Sequence, residues 1–222
     1  MKGLEKMKET RRNLFVSIFM LITFALWTLL VCKIDLQAIG PKETTVGFAT
    51  VNGFVRDFIG TNIALYIITD LLGLVPIFTA FGFAVLGLIQ WIKRKSILKV
   101  DFSILILGIF YIVVIVLYIF FETFVINYRP ILINNLLEAS YPSSTTMLTM
   151  CVMPTAIMQL KSRIKNKIAN RCTTFVITVF TLFMVIGRLI SGVHWLTDII
   201  AGIILSTSLV MMYYAVNNLK SK

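Results

Sequence analysis

A single histidine stands among 222 residues, with only three cysteines, Cys32, Cys151 and Cys172. No two cysteines form a CxxC pair, and one histidine cannot complete a zinc pattern. The cysteines are therefore expected to be packing residues, as free cysteines usually are. Charge is also scarce: 14% of residues are charged against 58% hydrophobic, and the mean hydropathy is +0.91. Soluble domains hold about 45–50% apolar residues. The apolar excess, gathered in runs of spanning length, leads to the expectation of one integral membrane domain over residues 1–222 with no soluble domain attached.

Acidic residues are few. Ten Asp and Glu stand against 21 Lys and Arg, a net charge of +11. That balance can signal a nucleic-acid partner. Here the charges sit in short clusters between apolar runs, which is membrane topology, and no nucleic-acid partner is expected.

The apolar runs predict an all-α polytopic protein, a bundle of six transmembrane helices. The spans lie at about 13–32, 72–92, 102–122, 143–160, 172–187 and 195–215. The basic leader before the first resembles a signal peptide. Its apolar run is too long for an h-region and no small-residue cleavage site follows, so it is read as a helix. Between the first two spans, Phe48, Val51, Phe54, Val55 and Phe58 recur at helical spacing, with Arg56 and Asp57 opposite. This fits an interfacial helix or an ordinary connecting helix packed on the bundle.

Lys2, Lys6, Lys8, Arg11, Arg12, the 93–99 cluster, the 161–171 cluster, Lys220 and Lys222 fall on one side of such a bundle. Only Lys33, Lys42, Arg56, Arg129 and Arg188 fall on the other. The positive-inside rule then predicts a multi-pass cell-membrane protein with both termini cytoplasmic. The extracytoplasmic face receives Arg129, the 140–147 stretch, Arg188, His194 and Asp198.

Three stretches on that face carry chemistry. In "GRLISGVHWLTD", 187–198, Arg188, His194 and Asp198 stand in the pattern R-x5-H-x3-D. His194 and Asp198 share a helical face, so the carboxylate can accept from the ring and activate the other nitrogen as a nucleophile. An interfacial histidine beside a helix-edge ion pair is the structural alternative. In "YRP", 128–130, Arg129 offers a planar fork to phosphate oxygens, or serves as a snorkelling anchor. In "YPSSTTM", 141–147, Pro142 suits a first helical turn and the N–H groups of Ser143, Ser144 and Thr145 would be free to bind an anion. A hydroxyl-rich helix cap is the simpler reading.

Together these residues resemble the type 2 phosphatidic acid phosphatase superfamily of membrane lipid phosphatases, whose motifs are KxxxxxxRP, PSGH and SRxxxxxHxxxD. They read here "ETFVINYRP" (122–130), "PSST" (142–145) and "GRLISGVHWLTD" (187–198). The resemblance implies a lipid phosphate or pyrophosphate substrate taken from the bilayer and no cofactor or metal. His194 would form a phosphohistidine, Asp198 would orient it, and Arg129, Arg188, Ser143 and Ser144 would hold the phosphate. Four positions depart from the motifs: Glu122 for lysine, Ser144 for glycine, Gly187 for serine and Thr145 for histidine. The last removes the acid–base partner that the family places at that position. Glu122 and Glu138 are candidate replacements or ordinary interface carboxylates. A catalytically inactive phospholipid-binding relative is the alternative. A transporter is disfavoured because no charge lies mid-span in the six segments.

Overall fold

The computed structural model describes residues 2–219. Lys220 and Lys222 lie outside the described residues, as do the side chains of Lys2 and Lys6. Among the described residues eight α-helices follow in order: α1 (Lys2–Val31), α2 (Ala49–Ile59), α3 (Ile63–Leu72), α4 (Leu74–Arg94), α5 (Phe102–Thr123), α6 (Ser144–Arg163), α7 (Lys167–Ile190) and α8 (Leu196–Leu219). Among the described residues there are isolated β-bridges and no strand, so the all-α expectation holds.

Among the described residues five stretches are long and apolar enough to cross a membrane: Met7–Val31, Ile63–Arg94, Phe102–Thr123, Lys167–Ile190 and Leu196–Leu219. The sequence predicts a sixth span at about 143–160. A helix does lie there, α6, but its composition falls short of a span. The reason is where it packs. Thr146, Thr149, Thr155 and Gln159 of α6 are buried against other helices. Polar side chains facing neighbours rather than lipid are tolerated in a bundle.

The centre is built by α8 and α6, with α1 laid along α8. Ser17 of α1 donates to the Ser208 carbonyl at 2.9 Å, and Ser208 donates back to the Ser17 carbonyl at 2.8 Å. Gly202 of α8 faces Thr146 of α6 closely enough that an added Cβ would lie 3.2 Å from its Cγ2. Small residues and reciprocal hydroxyl bonds let helices approach where lipid supplies no hydrophobic drive. Of the cysteines only Cys151 is buried; Cys32 and Cys172 are exposed, against the packing role expected for all three.

The helix expected from the spacing over 48–58 is α2, and a second helix, α3, follows it within a few residues. Gly60, at φ 71°, ends α2, and Asn62 caps α3 by accepting from the Leu65 N–H. Phe48 precedes α2 and stacks on Trp27, whereas Val51, Phe54 and Phe58 are exposed. Asn52 anchors α2 by donating to Thr197 Oγ1 at 3.0 Å and accepting from the Thr197 N–H. Gly192, at φ 67°, passes so close to Gly60 that a Cβ would lie 2.0 Å from its carbonyl oxygen. Only glycine permits that conformation and that approach. The crossing sets the start of α3 beside the turn between α7 and α8.

The bundle has two chemically different ends. At one, Asp101 pairs with Arg94 at 2.9 Å and Arg163 at 3.7 Å, and the basic 93–99 and 161–171 clusters gather there. At the other, α5 ends, α6 begins, α7 ends and α8 begins.

Candidate active site

The 124–143 connection folds back on itself over this second end. Tyr128 and Ala139 form an antiparallel bridge, the Arg129 N–H donates to the Glu138 carbonyl at 3.0 Å, and the Ser140 N–H donates to the Asn127 carbonyl at 2.9 Å. The Trp195 indole donates to the Tyr128 carbonyl at 2.8 Å, tying the fold-back to the α7–α8 turn. Arg129 and Ser140 are thereby delivered to His194.

His194 is buried between two unlike environments. Its Nε2 lies 3.1 Å from Arg188 Nη2 and 3.5 Å from Arg129 Nη1. Guanidinium nitrogens only donate, so Nε2 carries the lone pair and Nδ1 the proton. Burial, with the charges of Arg129 and Arg188 beside it, holds the ring well below the usual histidine pKa and therefore neutral. A neutral imidazole with its lone pair directed at two arginines is chemically a nucleophile set at an anion site.

Asp198 does not touch the ring as expected. Its Oδ2 is 4.0 Å from His194 Nδ1, beyond hydrogen-bond range. Ser140 occupies the gap. Its Oγ is 3.0 Å from Nδ1 and donates to Asp198 Oδ2 at 2.5 Å. The Trp195 N–H and Asn127 Nδ2 also donate to the carboxylate. The helical i, i+4 relation of 194 and 198 fails because His194 precedes α8, which begins at Leu196.

Arg188 is fully buried and its guanidinium stacks over the Tyr66 ring at 5.2 Å, with Asp70 Oδ1 3.6 Å from Nη1. Arg129 reaches the same ring at 5.9 Å. Its Nε lies 3.1 Å from Glu138 but off the hydrogen-bond direction, and Arg188 Nε and the buried Ser143 Oγ have no protein partner. Unmatched buried donors beside two arginines fit an anionic ligand.

Of the hydroxyl row, Ser143 is the N-cap of α6, and Pro142 precedes the helix instead of sitting in its first turn, after a cis Tyr141–Pro142 bond. The Ser143 N–H is not free as expected: it donates to the Asp198 carbonyl at 3.1 Å. Ser144 and Thr145 stand in the first turn of α6 and line a cavity of about 1530 Å³. Arg129, Asp70, Glu122 and Glu138 share its polar mouth, and its apolar walls run between α4 and α5 as far as Trp91 and Ile97.

The structure thus brings Arg129, Arg188, His194 and Asp198 together, with Ser143 against Asp198 and Ser144 and Thr145 on the cavity that Arg129 opens to. Ser140, Asn127, Tyr66 and Asp70 were not foreseen. Ser140 directly precedes the 141–147 stretch, but no periodicity marks a loop residue. Tyr66 and Asp70 lay in a stretch read for its amphipathic face.

Residues 122–222 match the PAP2 superfamily. No curated protein matches the chain in sequence. The fold is similar to the crystal structure of a transmembrane PAP2-type phosphatidylglycerolphosphate phosphatase from Bacillus subtilis, with a TM-score of 0.62, 16% identity, and coverage of 94% of this chain and 98% of that one. The resemblance read from the three motifs is borne out: residues 122–222 match the PAP2 superfamily, and the fold over nearly the whole chain is similar to that of a membrane PAP2-type protein.

Proposed function

We propose that the chain is a lipid phosphate or pyrophosphate phosphatase working through a phosphohistidine at His194. The observation that carries this reading is the Nε2 lone pair set against Arg188 and Arg129, 3.1 and 3.5 Å away. Nε2 attacks phosphorus and the bond to the leaving oxygen breaks. Water then attacks phosphorus, the P–Nε2 bond breaks with its electron pair returning to Nε2, and phosphate is released. Arg129, Arg188 and Ser143 hold the phosphoryl oxygens, with the free N–H groups at the start of α6 beside them. The apolar cavity between α4 and α5 suits a lipid tail. The basic residues gather at the opposite end of the bundle, which supports an extracytoplasmic site on a cell membrane with six spans, α6 included. The exposed Val51, Phe54 and Phe58 suit an α2 that lies in the interface.

Thr145 selects the substrate within this reading. A phosphoanhydride leaves as a stable phosphate anion and needs little protonation, whereas a monoester leaves as an alkoxide and needs much. The preferred substrate is therefore a pyrophosphate lipid. The test is turnover of an isoprenyl pyrophosphate against phosphatidylglycerolphosphate, with phosphate-labelled substrate used to trap the intermediate. Label on His194, lost in His194→Ala, and faster anhydride cleavage are expected. Turnover that survives His194→Ala would overturn the mechanism, and faster monoester cleavage would overturn the substrate preference.

One observation favours a second reading, a phospholipid-binding relative without turnover. Thr145 lines the cavity where the family sets its acid–base histidine, and its hydroxyl cannot titrate in that role. Thr145→His separates the two. Positioned acid–base help contributes about 10²–10⁴-fold. A gain of that order from an inactive parent supports the second reading, and little change in an active parent supports the first.

A further inference from the structure

We propose that Ser140 is the positioning residue through which Asp198 acts on His194, a single hydroxyl linking ring and carboxylate. This rests on His194 being the nucleophile, as proposed above.

Each link in the chain has only one permitted direction. Nε2 faces Arg188 Nη2 at 3.1 Å and Arg129 Nη1 at 3.5 Å, so the ring proton is on Nδ1. Within reach of that proton are Ser140 Oγ at 3.0 Å and the Ser140 carbonyl at 3.2 Å. A carboxylate only accepts, so the Ser140 hydroxyl donates its one hydrogen to Asp198 Oδ2, 2.5 Å away. Its lone pairs are left to accept from Nδ1–H. The three groups are all buried, with Ser140 2%, His194 4% and Asp198 0% exposed. In such surroundings linked hydrogen bonds polarise one another.

Asn127 holds both sides of the link. Its carbonyl accepts from the Ser140 N–H at 2.9 Å, and its side-chain amide donates to Asp198 Oδ1 at 3.3 Å. When Nε2 forms a bond to phosphorus and the leaving oxygen departs with its electron pair, the ring keeps the Nδ1 proton and becomes cationic. The Nδ1–H···Oγ bond then strengthens, and the Ser140 hydroxyl passes the stabilisation from Asp198 to the ring.

The Ser140 carbonyl makes the role testable. Without the hydroxyl, Nδ1–H still has the carbonyl at 3.2 Å, so the tautomer survives and only the coupling to Asp198 is lost. The experiment uses the full chain in lipid nanodiscs with ¹⁵N-labelled histidine, which reports one residue because the chain has one histidine. Asp198→Asn should move the Nδ1–H resonance in the parent and leave it unmoved in Ser140→Ala. Ser140→Thr, which keeps a hydroxyl, should behave as the parent does. Where Ser140→Ala does not fold, Ser140→Cys, a much weaker donor, takes its place and should also weaken the coupling. Equal Asp198→Asn shifts in the parent and in the hydroxyl-free variant would overturn the proposal. Phosphate labelling of His194 reports the nucleophile separately: a coupled but never labelled histidine refutes the phosphohistidine and leaves the link standing, and a labelled but uncoupled one does the reverse.

Discussion

Restoring the family's serine at Gly187 should damage this protein. An ideal Cβ at 187 lies 2.8 Å from Thr69 Cγ2 and 3.8 Å from Leu65 Cδ1. Carbon atoms settle at about 3.5–4.0 Å, so a gap of roughly 1 Å must open. Thr69 cannot swing away, because its branched Cβ is stiff and its hydroxyl is held by the Leu65 and Tyr66 carbonyls at 2.9 and 3.0 Å. The strain must instead separate α3 from α7. Tyr66 and Asp70 of α3 face Arg188, so the displacement reaches the guanidinium proposed to hold phosphate. Overpacking of this kind destabilises by about 1–3 kcal/mol. At about 2–4 °C per kcal/mol for a chain of this size, Gly187→Ser should lower the unfolding midpoint by roughly 2–12 °C. It should also weaken binding of orthovanadate, a phosphoryl mimic. Thr69→Ser removes the offending methyl and keeps the hydroxyl, so the double variant should recover most of the midpoint. The assay is thermal unfolding of the four proteins in nanodiscs. A Gly187→Ser protein as stable as its parent, or one that Thr69→Ser does not relieve, would refute the reasoning.

His194 should stay neutral as the medium is acidified, because burial and two arginines oppose its protonation. Its ¹⁵N shifts should remain those of the Nδ1–H tautomer from pH 7.5 down through 6.5, the usual histidine value; a titration centred near 6.5 would contradict the site as described. Ser143→Ala should leave the unfolding midpoint nearly unchanged, since the buried Oγ has no protein partner to lose. The same change should weaken orthovanadate binding about tenfold or more, the loss of one hydrogen bond to a charged group at about 1.5 kcal/mol. Unchanged affinity would remove Ser143 from the phosphate site.

The helical class, most membrane segments and the R-x5-H-x3-D motif were legible in the residues, because apolar run length and motif spacing are local quantities. Two fold features were not. α6 reads as one more span, and nothing in its sequence tells that its threonines face protein at the centre of the bundle, because which helix becomes central depends on how the bundle closes. The helical spacing over 48–58 reads as α2, yet it does not tell that Gly60 ends that helix where Gly192 must pass it. The site divides in the same way. His194, Arg188, Arg129 and Asp198 carry their chemistry in their side chains and could be named from the sequence. The link through Ser140 could not. Ser140 is 54 residues from His194 in the chain, and only the fold-back of the 124–143 connection brings it between ring and carboxylate. Residue type settled which groups could do chemistry here; the packing of loops against helix ends decided which of them touch.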